Sequence, residues 1–376
     1  MNPRVARDDR SARLAWSRIA EPGLPEVARW IAEHGAIGAL ERLAAGRLVP
    51  DGRFDARLAT LDLESAWRGV ARANARVVVP SDDDWPTGLD DLEVPPVCLF
   101  VRGSAHLATA AAGSVAVVGS RAATEYGITV AHDLGADLAD RGVTVVSGAA
   151  FGIDAAAHRG ALAVDGTTVA VLACGVDRPY PAAHRTLLDA VAEDGVVVSE
   201  VAIGHAPYRG RFLARNRLIA TMTVGTVVVE AGLRSGSLNT ARHAREALRH
   251  VAAVPGPVTS PTSAGCHELV RTHGATLVTD AAEVLDLMGR LGLDLAPVRR
   301  APVTPDGELD AVSHAVWSAV PVRSPADLER LRALTGLAPA SILAALGRLD
   351  ADGLVARHGD GWRKVPAGRG RPRVPR

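Results

Sequence analysis

Lysine is almost missing from this chain: of 42 basic residues only Lys364 is a lysine. A Walker A loop needs a lysine on the nucleotide phosphates, so nucleotide hydrolysis of that type is excluded. Aromatic residues are 3% of the composition, so a nucleic-acid site cannot rest on a broad stacking platform and must lean on arginines and backbone amides. The three cysteines, Cys98, Cys174 and Cys266, lie far apart without a CxxC or Cys/His cluster at ligand spacing, so reduced thiols are expected and neither a metal nor a cofactor is. The 42 basic residues are balanced by 42 acidic ones, which leaves any nucleic-acid site to be a local patch. No apolar run approaches the ~20 residues of a membrane helix. Arg4, Asp8, Asp9 and Arg10 precede the first apolar stretch, unlike a signal peptide, and the expectation is a soluble cytoplasmic protein.

What is present suits a folded, multi-domain chain: 376 residues, 48% hydrophobic and 22% charged. Residues 12–75 show helical spacing, as in Val27, Trp30 and Ile31, broken by Gly35 and Gly46, which predicts a helical domain over 1–78. Between 115 and 289, β-branched runs at 115–118, 143–146, 169–172, 196–198, 226–229 and 251–254 alternate with alanine-rich helical stretches. This predicts an α/β fold, a Rossmann-like doubly wound parallel sheet, over 79–292. Ligands of such sheets bind beyond the carboxyl ends of the strands, so the residues after each run are where function is expected. A Pro/Gly-rich linker is expected over 293–307. Three helices and a hairpin over 308–366 predict a winged helix, with a basic tail at 367–376.

The strand ends carry small and cationic residues. Gly119, Ser120 and Arg121 precede a helix and read as a phosphate cradle, with a tight turn bearing a surface arginine as the alternative. Ser147, Gly148, Gly152 and Asp154 form a second such loop, in which Asp154 either caps the helix or fixes the loop. Arg209, Arg211, Arg215, Asn216 and Arg217 follow without one acidic residue, the footprint of a sugar-phosphate backbone or of a solvated charged face. After Glu230, Ser235, Gly236 and Ser237 open another helix and offer hydroxyls and amides to an anion, or simply an N-cap.

The order of these elements resembles the DprA/Smf family of DNA-processing proteins. The resemblance rests on Val-Gly-Ser-Arg at 118–121, Ser-Gly-x-Ala-x-Gly-Ile-Asp-x-x-Ala-His at 147–158, Arg-Asn-Arg-x-Ile-Ala at 215–220, Val-Glu-Ala-x-x-x-Ser-Gly-Ser-Leu-x-Thr-Ala at 229–241 and Val-Pro-Gly at 254–256. It spans roughly residues 85–285; the ends match by architecture alone, as a sterile-alpha-motif-like unit and a winged helix. It implies a protein, usually a homodimer, that binds single-stranded DNA, protects it and helps load the RecA recombinase in natural transformation, without catalysis. Arg121 would hold a phosphate, and the loops at 147–154 and 215–217 would line the groove. Phe151 departs from the arginine common at that position, which either removes a backbone contact or supplies a stacking surface. Cys266 and His267 also depart from the pattern and receive no role.

Two rival functions come from other classes. A nucleotide-handling hydrolase related to the phosphoribohydrolases would need a carboxylate, for which Glu230 and Asp154 are the candidates, but the Pro-Gly-Gly-x-Gly-Thr signature of those enzymes is absent. A duplex-DNA regulator would read bases with a helix near 339–350, where only Ser341 and Arg348 offer base-reading groups.

Overall fold

The computed structural model describes residues 6–48, 52–289 and 309–365; the expected linker and basic tail lie outside the described residues. The chain forms two compact units, 1–296 and 297–376.

The first unit begins with helices α1 (Asp9–Ile19), α2 (Pro25–Ala44), α3 (Asp55–Ala59) and α4 (Leu63–Arg72). Asp8 and Asp62 cap α1 and α4 by accepting the backbone N–H of Ser11 and Ser65. Helix α1 buries Ala12, Ala15, Trp16 and Ile19, one stripe at helical spacing, and Trp16 donates its indole N–H to the Ala36 carbonyl at 3.0 Å. Gly35, at φ +69°, breaks the helical geometry inside α2 and bends its second half back over that stripe.

The sheet follows: β1 (Arg76–Val78), β2 (Leu99–Arg102), α5 (Leu107–Ala111), β3 (Val115–Val118), α6 (Glu125–Asp140), β4 (Val145–Ser147), α7 (Ile153–Ala163), β5 (Thr168–Val171), α8 (Arg185–Asp194), β6 (Val196–Ser199), α9 (Arg209–Met222), β7 (Gly225–Val228), α10 (Ser237–Glu246), β8 (His250–Ala253), α11 (Ala264–His273), β9 (Thr276–Leu277) and α12 (Ala281–Met288). The strands lie in the order β1-β2-β6-β5-β4-β3-β7-β8-β9. All pairings from β6 to β9 are parallel, and β1 and β2 add an antiparallel edge that the sequence reading did not assign to the sheet.

Alternate residues of each strand serve opposite faces. Val115, Val117, Val227 and Val229 pack with α6, α7 and α12, whereas Ala116, Val118, Val146 and Val228 pack with α9, α10 and α11. Covering both faces is why the strands read as unbroken apolar runs. The parallel part of the sheet starts at β3, winds outward through β4, β5 and β6, and returns by α9 to β7 on the other side of β3. The loops after β3 and β7 therefore diverge, opening the crevice expected at a topological switch point.

The second unit contains α13 (Ala311–Ala319), α14 (Leu328–Thr335), α15 (Pro339–Ala351) and the hairpin β10 (Val355–His358) to β11 (Gly361–Lys364). Val316, Leu331, Ile342, Leu346 and Leu349 form its core. Three helices followed by a hairpin are the elements, in the order, that the sequence reading expected of a winged helix.

Candidate nucleic-acid interface

A crevice of about 660 Å³ opens at the switch point. Its walls come from Gly119, Ser120 and Arg121 after β3, Ala150 and Asp154 at the β4–α7 loop, and Ser235, Gly236 and Ser237 at the start of α10, closed by the first turns of α9. The charged side chains of the lining are Arg121, Arg209, Arg215 and Asp154, so the crevice is cationic although the molecule is neutral.

Arg215 is the buried charge at its base. Its guanidinium donates to the carbonyl of Val171 and, at 3.2 Å, to the Asn216 side chain. Burial lowers its pKa to about 10, with the nearby Asp154 carboxylate opposing, so it remains charged at neutral pH. Burial in turn raises Asp154, against the pull of Arg215. Gly148 lies directly beneath Arg215: a Cβ there would occupy the place of the guanidinium. Arg121 is exposed and lies over the ring of Phe212, 4.6 Å from its centroid.

Asn216 ties the third cradle in place, its Nδ2 donating to the Gly236 carbonyl at 3.2 Å and to the Asn239 side chain at 3.3 Å. At the N-terminus of α10 the first amides are engaged locally, Ser237 N–H on the Ser235 hydroxyl at 3.4 Å, Leu238 N–H on the Ser235 carbonyl at 3.3 Å and Asn239 N–H on the Gly236 carbonyl at 3.1 Å, so this cradle brings the paired hydroxyls of Ser235 and Ser237 to the crevice. At α6 the equivalent position is filled internally. Glu230 accepts hydrogen bonds from the Thr124 N–H at 2.8 Å, the Thr124 hydroxyl at 2.7 Å and the Thr262 hydroxyl at 3.0 Å.

The sequence-predicted residues Gly119, Ser120, Arg121, Asp154, Arg215, Asn216, Ser235, Gly236 and Ser237 meet on this wall. Others do not line it. Ser147 is buried, its hydroxyl donating to the Val117 carbonyl at 2.6 Å inside the sheet. Gly148 and Gly152 act from behind, the latter at φ +76° against the carbonyls of Ser120 and Arg121. Arg211 pairs with Glu21 at 2.9 Å, and Arg217 places Nη2 on both oxygens of Glu200 at 2.8 and 2.6 Å. Both guanidiniums are buried against carboxylates away from the crevice.

Sequence reasoning missed the rings. Tyr180, Tyr208 and Phe212 line the crevice, and Tyr180 meets Phe212 at 5.6 Å between centroids. Tyr180 lies in the loop after β5, so the rule of looking beyond each strand end, applied to that strand as well, reaches it. The low aromatic content was a poor guide because composition is blind to position.

Fold and lining together define a Rossmann-type α/β protein with a cationic, ring-edged crevice at its switch point. The chain belongs to the family of DNA recombination-mediator protein A, whose model matches residues 76–289. It is similar to a DNA processing protein DprA of Mycobacterium tuberculosis, 43% identical with 95% of each chain covered. The X-ray structure of DprA from Streptococcus pneumoniae matches with a TM-score of 0.63 and 33% identity, over 73% of this chain and 96% of that one. That of DNA processing protein A from Helicobacter pylori, described for its single-stranded DNA binding mode, matches with a TM-score of 0.51 and 27% identity, over 57% and 96%.

Proposed function

We propose that the switch-point crevice binds single-stranded DNA, and that the protein, as a cytoplasmic homodimer without catalytic activity, protects the strand and helps load the RecA recombinase on it. One observation carries this reading: a crevice that joins exposed Arg121 and buried Arg215 to the hydroxyls of Ser235 and Ser237 and to the rings of Tyr180, Tyr208 and Phe212. Cations and hydroxyls suit phosphates, and rings suit unpaired bases, whose faces are hidden in a duplex. The single-strand binding described for the Helicobacter pylori relative supports the same assignment. Against the hydrolase reading, Glu230 is engaged with three donors and Asp154 is buried beside Arg215. No helix among the described residues is long and apolar enough to cross a membrane.

The test is titration of a fluorescent oligonucleotide, single-stranded against duplex, at several salt concentrations, with wild type and Arg121→Ala. The reading requires single-strand preference that weakens with salt and drops in the variant. Equal binding of both forms, with release of base from nucleoside monophosphates, would establish the hydrolase instead.

A further inference from the structure

The loop from Gly148 to Gly152 contributes Ala150 to the crevice wall, and the next residue, Phe151, holds its ring outside that wall with 49% of its surface in water. Singly exposed apolar residues are ordinary and mean nothing alone. This ring differs in how firmly it is held. Gly152 packs on the carbonyls of Ser120 and Arg121, and the Ile153 N–H donates to the Ser120 carbonyl at 3.2 Å, which clamps the Phe151 backbone to the Arg121 loop. From the other side the ring meets His184 at 4.7 Å and 68°, and His184 is itself buried, with Nδ1 3.0 Å from the Ala149 carbonyl. An edge-to-face pair leaves ring surface uncovered, and a rigid ring loses little freedom when a base lies on it.

We propose that Phe151 is a separate base-stacking subsite, taking one unpaired nucleobase of a strand that leaves the crevice past Arg121. This deepens the single-strand reading above and rests on it. The subsite takes any of the four bases, since stacking uses the face they share, and it lengthens the footprint beyond the crevice without adding a phosphate contact.

Phe151→Leu keeps apolar bulk and removes the stacking face, and Phe151→Trp enlarges it. Each is titrated with an oligothymidine and with a series of the same length in which one abasic site is walked along the strand. Circular dichroism melts are run beside the titrations. Leucine is expected to weaken binding of the intact strand roughly 5- to 100-fold with an unchanged salt slope, and tryptophan to match or exceed wild type. In wild type one abasic position should show a comparable loss, and that position should become silent in Phe151→Leu. Leucine binding as wild type, or a loss insensitive to the abasic walk, overturns the proposal. If Phe151→Leu fails to fold, the tryptophan variant decides, because weaker binding by a folded Phe151→Trp also overturns it. Arg121→Ala in parallel separates the two readings: a loss in Arg121→Ala with wild-type binding by Phe151→Leu overturns the subsite alone, whereas no loss in either variant overturns the crevice assignment and the subsite with it.

Discussion

The guanidinium of Arg211, on the first turn of α9, closes on the carboxylate of Glu21, with Nε and Nη2 at 2.9 and 3.1 Å from its two oxygens. Tyr208 and Arg57 donate to the same carboxylate at 3.0 Å each, so the α1–α2 turn is fastened to the crevice wall by one anion. Burial alone would raise Glu21, but these partners, Arg211 above all, hold it below the usual carboxylate range. Arg211→Ala should therefore act on stability. We expect a loss of about 2–3 kcal/mol, since Glu21 is a quarter exposed and regains some water, with the salt slope of DNA binding unchanged. A reduced slope in the oligonucleotide titration would show that Arg211 meets phosphate after all.

Arg217 and Glu200 are both almost fully buried, and Nε and Nη1 of Arg217 have no partner among the described residues. Removing the arginine alone leaves a buried carboxylate uncompensated. Arg217→Ala should cost about 3–5 kcal/mol, whereas the double change Glu200→Leu with Arg217→Met should lie much closer to wild type. Urea midpoints of the three proteins decide this, and equal losses for the single and double variants would refute it.

Arg121 is exposed at the crevice and stacked on Phe212, so its removal costs the fold little. With Arg121→Ala the slope of log K against log salt should fall by about 0.7, the value for one phosphate on a single strand. Anisotropy titrations between low and moderate salt measure it. A slope equal to wild type counts against the cradle.

Gly148 carries no functional group, yet a methyl at that position overlaps the guanidinium of Arg215. Gly148→Ala should displace Arg215 and weaken single-strand binding about as much as Arg215→Ala, although no charge has been removed. If it binds as wild type, Arg215 is not held where binding needs it.

His158 predicts a pH dependence. Its ring is fully buried, and Nδ1 lies 2.7 Å from the Thr168 hydroxyl, which itself donates to the Val145 carbonyl. Nδ1 must then carry the proton, and Nε2 is left without a partner. Burial, with the charges of His184, Arg215 and Arg159, lowers its pKa to about 3. Between pH 6.5 and 3 the unfolded chain binds a proton that the native state refuses. The native advantage is complete above about 6.5 and falls by up to ~1.4 kcal/mol per pH unit below it. Denaturant midpoints at pH 7, 6 and 5 should show this decline, and His158→Gln should flatten it.

Much of the architecture was legible locally. Each parallel strand from β3 to β8 announces itself as a short apolar run, because burial on both faces forbids polar alternation, and the small residues at 119–120, 148–150 and 235–237 mark the loops that follow three of them. The edge strands β1 and β9, of three and two residues, were not, because runs so short take their register from neighbours, and β2 was read only as an apolar lead-in, because its place between β1 and β6 comes from antiparallel pairing across the sheet.

The arginines of α9 show what only the tertiary structure decided. Arg215 and Arg217 are two residues apart, about 200° around a helix, so one side chain enters the crevice and the other must leave it; that much the helical period contains. Arg211 and Arg215 are one turn apart on the same side, and nothing local separates them. They differ because Glu21, 190 positions earlier, folds onto the first turn of the helix and claims Arg211, while Gly148 opens a space beneath Arg215. The rings of Tyr180, Tyr208 and Phe212 converge for the same reason: the loop after β5 and the start of α9 meet only once the chain has recrossed its own sheet.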